Sequence, residues 1–172
     1  MLTKFLYFLL MTFVCTTTGC ISDDDPDGPL LTIGDSLPTF SVELSDGTVI
    51  SNTSFIGKAG VIVFFNTGCS DCRKELPVIQ ELWEEFKSDE NVLIAAIARD
   101  ESADEIEQYW KENGLTMPYS PQKGREVYNL FAPSVIPRIF ITDKKGIIVF
   151  SSDDSDMPSF DKLKPEVIKI LN

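Results

Sequence analysis

The chain has 172 residues, 43% hydrophobic and 24% charged, a balance that suits one globular domain plus a short additional segment. Its 27 acidic residues outnumber its 15 lysines and arginines, and the net charge of −12 argues against binding to nucleic acid or to an anionic membrane surface. The absence of histidine excludes Ser-His-Asp and Cys-His catalysis and most zinc and copper sites, so we expect neither a metal nor another cofactor.

The first 19 residues are typical of an export signal. Lys4 precedes an apolar run over residues 5–14, which is too short to span a bilayer comfortably but suits the core of a signal peptide. Small residues then lead to Cys20, an order that resembles the lipobox of bacterial lipoproteins, although Thr17 stands where leucine is usual. In that family the cysteine is acylated and becomes the first mature residue. An ordinary cleaved signal and an uncleaved anchor are the alternatives, and all three deliver the domain outside the cytoplasm.

Residues 20–33 are predicted as a tether and residues 34–172 as the single domain. The tether is rich in Asp, Pro and Gly and has little apolar surface to bury, so we expect it to be flexible. Its Ser22–Asp25 segment resembles an acidic signal that some Gram-negative bacteria place behind a lipidated cysteine for surface display, with a plain solvated spacer as the alternative. We therefore expect a lipid-anchored protein of the bacterial envelope, at the outer membrane, facing either the periplasm or the cell surface.

The chain has four cysteines. Cys15 lies inside the signal and Cys20 is expected to carry lipid. Cys69 and Cys72 are then left, in an oxidising compartment, with no partner but each other, which predicts a Cys69–Cys72 disulfide. A disulfide across a four-residue loop removes little chain entropy and stabilises a fold weakly. The pair is therefore better explained by redox chemistry than by stability.

The first half of the domain shows two strand patterns and one helix pattern. Polarity alternates over residues 40–50 around a turn at Ser45–Gly47, which predicts a β-hairpin. The continuous apolar run of residues 61–65 predicts a strand buried on both faces. From Cys72 onward, apolar residues recur at helical spacing, so a helix is expected there.

The second half alternates in the same way. Residues 92–98 form another buried run, and a capping box at Ser102–Glu105 begins a helix. A short helix is expected over residues 125–131, then a hairpin over residues 138–151 and a C-terminal helix with Pro165 in its first turn. This order of elements predicts an α/β domain with a mixed central sheet and helices on both faces.

Cys69 and Cys72 lie where the buried strand passes into the predicted helix. Cys69 falls at the helix N-terminus, where unpaired backbone N–H groups and the helix dipole favour negative charge. The thiolate is the nucleophilic form of cysteine, so we assign Cys69 as the attacking thiol. Cys72 lies one turn later and is expected to be more buried, and we assign it as the resolving thiol that attacks the mixed disulfide.

The segment Asn66–Pro77, Asn-Thr-Gly-Cys-Ser-Asp-Cys-Arg-Lys-Glu-Leu-Pro, resembles the exported thioredoxin-like thiol–disulfide oxidoreductases, the TlpA/ResA-like branch of the redoxin (AhpC/TSA) group. Residues 34–40 and 44–47 before it, and Val135–Pro137 after it, match that family in the same order. The resemblance spans roughly residues 34–171 and implies a thioredoxin-like fold with an N-terminal β-hairpin. It also implies an enzyme that reduces protein disulfides, with an upstream electron donor in the membrane. We expect a monomer.

The resemblance assigns roles to three further residues. Pro77 matches a proline that kinks the active-site helix. Pro137 matches a cis-proline beside the disulfide, which would leave the backbone of Ile136 free to pair with an extended substrate; a trans-proline that opens a strand is the alternative. Glu75 matches an acidic residue implied to move protons to and from the thiols, with a surface glutamate at a helix start as the alternative.

The sequence also departs from the family pattern. Gly68 stands where a tryptophan commonly precedes the first cysteine, so a smaller, more mobile lip is expected, and Arg138 replaces a small residue after the proline. Asp71 places a negative charge near the thiolate, with Arg73 and Lys74 as partial compensation. These features predict a reductant of middling to low potential rather than a strong oxidant.

Two other functions stay open. A peroxiredoxin shares much of the fold, but Thr67 lies one residue too close to the cysteine for that family and Ile62 stands where its proline should be. A non-enzymatic surface module could keep the scaffold for binding alone. The combination of two cysteines with Pro77 and Pro137 argues against it.

Overall fold

A computed structural model describes residues 28–172, and the predictions for Cys15, Cys20 and the rest of residues 1–27 lie outside this range. The described chain forms a two-stranded sheet and a five-stranded sheet with three α-helices. The strands are β1 (Ser41–Glu43), β2 (Val49–Ser51), β3 (Ala59–Phe65), β4 (Val92–Ala98), β5 (Tyr119–Ser120), β6 (Arg138–Thr142) and β7 (Ile148–Ser152). The helices are α1 (Ser70–Phe86), α2 (Ala103–Asn113) and α3 (Phe160–Leu171), and 3₁₀ turns lie at Asn52–Phe55 and Tyr128–Leu130.

The large sheet has the strand order β5-β4-β3-β6-β7 and is mixed. β3 is parallel to β4 and antiparallel to β6. Phe65 at the end of β3 pairs with Ala98 at the end of β4, and Phe64 pairs with Arg138 at the start of β6. The segments that follow β3 and β4 and the one that precedes β6 therefore meet at one edge, which we call the site edge.

An aromatic cluster fills the core beside β3. The ring of Phe64 lies 4.9 Å from that of Phe131 and 5.3 Å from that of Tyr128, centre to centre. Phe131 also contacts Phe40 at 5.5 Å, which ties the segment leading into β1 to the main sheet. Phe65 points to the opposite face because successive strand residues alternate, and its ring lies 5.2 Å from Trp110 of α2.

The mixed α/β fold agrees with the sequence prediction, including the N-terminal hairpin and the helix that starts at the cysteines. The capping box predicted at Ser102 is present: the Ser102 hydroxyl and backbone N–H both bond the carboxylate of Glu105, and α2 ends at Gly114 in the left-handed conformation. Two elements escaped prediction, β5 and the first 3₁₀ turn. Segments of two to four residues carry no measurable periodicity, and these two, unlike β1 and β2, do not flank a predicted hairpin turn.

Two predictions need correction. The helix expected over residues 125–131 is only a 3₁₀ turn at Tyr128–Leu130. Pro133 follows closely and disfavours helical geometry in the residue before it, so a longer helix has no room to continue. Pro165 lies in the second turn of α3, not the first, because the helix already begins after Ser159.

The chain before residue 34 touches the domain. The Leu31 N–H donates to the carbonyl of Phe131 (2.9 Å), and the Leu31 side chain packs against the core. The boundary drawn at residue 34 stays a prediction. None of the helices within residues 28–172 is long and apolar enough to cross a membrane.

Candidate functional site

The two cysteines begin α1 at the site edge. Cys69 is the N-cap residue in extended conformation, and its Sγ accepts a hydrogen bond from the Cys72 N–H at 3.4 Å. Cys69 is half-buried whereas Cys72 is fully buried. Cys69 thus lies at the positive end of the helix dipole, beside the backbone N–H groups of the first turn that have no partner within the helix. The geometry gives a substrate access to Cys69 before Cys72.

Cys72 is held as a neutral thiol. Burial raises its pKa well above the ordinary value, and the hydrogen bond to Cys69 adds to the effect. Both cysteines are free in the structure, and the Cys69–Cys72 disulfide stays a prediction. Nearby, the Asp71 carboxylate pairs with the Lys74 ammonium at 2.7 Å, so part of the expected charge compensation is present.

The loop before β6 lies against Cys69. The Ile136–Pro137 peptide bond is cis, and the Cys69 thiol donates to the Ile136 carbonyl at 3.6 Å. The Tyr128 hydroxyl lies 2.6 Å from the carbonyl oxygen of Val135, a residue with a positive φ of 73°, and also contacts the Ser134 carbonyl. Tyr128 therefore fixes the loop that carries Ile136 against the Cys69 thiol.

Glu75 is buried in α1, one turn after Cys72. Its Oε1 has no hydrogen-bond partner, and burial raises its pKa from 4.5 to about 7. A carboxyl group that titrates near neutrality can both take up and release a proton under ordinary conditions. The alternative of a surface glutamate is thus wrong, whereas the proton-transfer role stays a prediction.

Two residues that the sequence did not single out hold the turn between β3 and α1. The Glu101 carboxylate accepts hydrogen bonds from the backbone N–H (2.8 Å) and the hydroxyl of buried Thr67. The Asn66 amide donates to the carbonyls of Arg99 and Asp100, both at 3.2 Å. One sequence pattern could have indicated that these residues lie close together. The buried runs of residues 61–65 and 92–98 are parallel neighbours, and the carboxyl ends of parallel strands meet at one edge of the sheet.

The absence of a side chain at Gly68 leaves room for Asn66. The Oδ1 of Asn66 accepts from the Gly68 N–H at 2.8 Å, and a Cβ on Gly68 would lie 2.9 Å from that oxygen. A shallow groove opens beside the thiol at this point. It is lined by Asn66, Gly68, Cys69, Arg99, Val135 and Ile136.

The other residues that the sequence singled out are also placed. Pro77 lies inside α1 with its ring exposed, and Arg73 points back to the carbonyl of Thr67. Arg138 is buried, pairs with Asp153 at 3.8 Å and donates to the Ser134 carbonyl at 3.3 Å. No cluster of three or more potential metal ligands occurs between residues 28 and 172.

Comparisons with known proteins agree with this geometry. Residues 33–151 match the sequence profile of the AhpC/TSA family. The thiol-disulfide oxidoreductase ResA of Bacillus thuringiensis is 31% identical over 117 residues, 68% of this chain and 67% of that protein. A Bacteroides thetaiotaomicron protein described as a protein disulfide isomerase superposes with a TM-score of 0.77 and 27% identity, covering 84% of this chain and 92% of that one. The thioredoxin domain of a thiol-disulfide oxidoreductase from Bacteroides vulgatus gives 0.66 and 26%, covering 83% and 99%.

Proposed function

The chain belongs to the AhpC/TSA family and is a thiol–disulfide oxidoreductase of the thioredoxin class, and from this premise we propose that it reduces disulfides of other proteins through Cys69 and Cys72. The observation that carries the proposal is the asymmetry of the two thiols. Cys69 is accessible, caps a helix and faces the Ile136 carbonyl, whereas Cys72 is buried and its thiol pKa is raised. This asymmetry supports Cys69 as the attacking thiol and Cys72 as the resolving thiol.

The reaction transfers two electrons in two displacements. The Cys69 thiolate attacks one sulfur of the substrate disulfide, that S–S bond breaks, and the departing substrate sulfur takes a proton. Cys72 then loses its proton, in our proposal to the Glu75 carboxylate, and attacks the Sγ of Cys69. The second substrate thiol leaves and takes up a proton, and the Cys69–Cys72 disulfide remains. A dithiol of a membrane-bound donor protein reduces that bond again.

Insulin reduction with dithiothreitol as the recycling dithiol tests the proposal. The wild-type protein should accelerate the reaction, Cys69→Ser should fall to the uncatalysed rate, and Cys72→Ser should accumulate a mixed disulfide on Cys69. Equal rates for the wild type and Cys69→Ser would contradict the catalytic role and favour a binding module. Substitution of hydrogen peroxide for insulin should give little turnover, because Thr67 and Ile62 do not match the peroxiredoxin pattern.

We propose further that the protein acts outside the cytoplasm, attached to the envelope by lipid on Cys20. The apolar run of residues 5–14 and the small residues before Cys20 support this location. The wild type expressed with its signal in a bacterial host should partition into the detergent phase and carry labelled fatty acid, whereas Cys20→Ser should do neither. Unchanged partitioning of Cys20→Ser would contradict the lipid anchor.

The dithiol should act as a reductant rather than a strong oxidant. Strong oxidants stabilise their reduced thiolate, and here Asp71 adds a negative charge close to Cys69 in a chain without histidine. Equilibration with glutathione redox buffers would measure the potential. A value near that of the strongest known oxidants, about −120 mV, would contradict this proposal.

A further inference from the structure

Arg99 places a positive charge in the groove beside the attacking thiol. It is the first residue after β4, so the sheet brings it to the site edge, where it lines the groove together with Cys69 and Ile136. Its guanidinium carbon lies 5.1 Å from the centre of the Tyr128 ring. Since the Tyr128 hydroxyl also contacts the carbonyl oxygen of Val135, one side chain orients both the arginine and the loop before Pro137.

This guanidinium has no anionic partner among residues 28–172. Arg138 pairs with Asp153, and Arg73 donates to the Thr67 carbonyl, but no carboxylate lies within 4 Å of Arg99 and its Nη1 is buried without an acceptor. Buried polar atoms such as this Nη1 usually have a hydrogen-bond partner, because desolvation without compensation costs free energy.

We propose that Arg99 binds a carboxylate of the substrate polypeptide, so that disulfides with an acidic residue next to one cysteine are preferred. The proposal rests on the proposed function, since it requires a polypeptide disulfide at Cys69. A guanidinium and a carboxylate form charge-assisted, often bidentate hydrogen bonds that fix orientation. The net charge of −12 disfavours an acidic segment over the surface as a whole, so a cation in the groove orients that segment beside Cys69.

Three disulfide-bonded peptides, identical except for Glu, Gln or Lys beside one cysteine, test this with the full-length protein. The wild type should reduce the Glu peptide with a kcat/KM about fivefold above that of the Lys peptide, the size expected for one partly exposed ion pair. Arg99→Gln should reduce all three equally, Arg99→Lys should keep the preference, and Arg99→Glu should reverse it. Raising the salt concentration should weaken the preference in the wild type.

Lys145→Gln is the matched control, since it removes the same charge from an exposed turn beyond the far end of β6. It should keep the wild-type preference. A wild type that reduces the three peptides equally would overturn the role of Arg99 and leave the proposed function intact. The proposal would also be overturned if Arg99→Gln lowered kcat/KM by the same factor for all three peptides and so kept the preference for Glu. Arg99 would then act on the thiols and not on the substrate. Failure of the wild type to reduce any peptide would instead refute the proposed function.

Discussion

The aromatic cluster and the site edge differ in what they bury and in how well the buried groups are paired. Around Phe64 and Phe131 the core consists of rings packed against rings. At the site edge, buried charged groups lack hydrogen-bond partners: Glu75 at Oε1, Arg99 at Nη1 and Arg138 at Nε. Elsewhere in the described chain, the unpartnered buried side-chain atoms are the hydroxyls of Thr142 and Ser152, which are uncharged.

The comparison indicates that the site edge contributes less to stability than the aromatic cluster does. Burying an unpaired charged or titrating group costs free energy, whereas burying a ring contributes it. Natural proteins tolerate such local conflicts mainly at functional sites. Substitutions of the phenylalanines in the aromatic cluster should therefore change stability but not the chemistry of the folded protein. Tyr128 is the exception, since its hydroxyl also bonds the loop before Pro137. Substitutions at the site edge should change the chemistry more than they change stability.

The largest effect is expected in the aromatic cluster. Phe131→Ala removes a fully buried ring that contacts Phe40, Phe64 and Phe140, and should lower the free energy of unfolding by about 4 kcal/mol through lost burial and the cavity left behind. Urea unfolding measures this loss. The rate of disulfide reduction per folded molecule should stay near the wild-type value.

Phe131→Leu provides a second test in case Phe131→Ala does not fold. It keeps most of the apolar volume and should lose less stability than Phe131→Ala. If either variant, shown to be folded, reduces insulin far more slowly than the wild type, the aromatic cluster does not act independently of the site edge and the contrast fails.

Glu75 should make stability depend on pH. Its pKa is about 7 in the folded protein against an ordinary 4.5, so the native state keeps a proton that the unfolded chain releases. The resulting stabilisation is complete below pH 4.5 and is lost as the pH rises to about 7. The raised pKa amounts to about 3 kcal/mol, so the wild type should lose roughly that much between pH 4.5 and pH 8.

Glu75→Gln isolates this group because the amide does not titrate. The variant should lack the Glu75 part of the decline, so its stability relative to the wild type should rise by about 3 kcal/mol from pH 4.5 to pH 8. If Glu75 also moves protons, the variant should reduce insulin about 100-fold more slowly at neutral pH. Parallel pH–stability curves for the two proteins would refute the raised pKa.

Glu101 should show a smaller effect. In Glu101→Gln the amide oxygen can still accept from the Thr67 N–H, but a neutral NH2 group replaces the charged acceptor of the Thr67 hydroxyl, so about 1.5 kcal/mol of stability should be lost. The turn before Cys69 should loosen and insulin reduction should slow. Glu81→Gln, an exposed change on α1, is the matched control and should shift stability by less than about 0.5 kcal/mol. A loss no larger than that of the control would mean that Glu101 does not hold the turn.

The division between the two regions also explains what the sequence could reveal. β3 and β4 were predictable because a continuous apolar run is a local signal, and Cys69, Cys72 and Pro137 were recognisable from motifs. The helix expected over residues 125–131 is only a 3₁₀ turn, because so short a segment gains too few hydrogen bonds to offset helix nucleation, and Pro133 stops it from extending further.

Arg99 and Glu101 could not be found in the same way. Each follows a strand, and its importance arises only because β4 lies beside β3 and Tyr128 packs beneath the loop of Val135. The capping box that begins one residue after Glu101 indicates the start of α2 and not the contact of Glu101 with Thr67. Partners about 34 residues apart, such as Thr67 and Glu101, leave no periodic trace in one sequence.

The smallest effect should come from Gly68. In Gly68→Ala the new Cβ would crowd the Oδ1 of Asn66, which must move by a few tenths of an ångström and weaken its bond to the residue 68 N–H. The φ of Gly68 is not in the left-handed region, so alanine adds no backbone strain, and the loss should stay below about 1 kcal/mol. A double-mutant cycle with Asn66→Ala tests the cause. If crowding of Asn66 is the whole effect, Gly68→Ala should cost nothing in the Asn66→Ala background, whereas additive costs would give Gly68 a role that does not pass through Asn66.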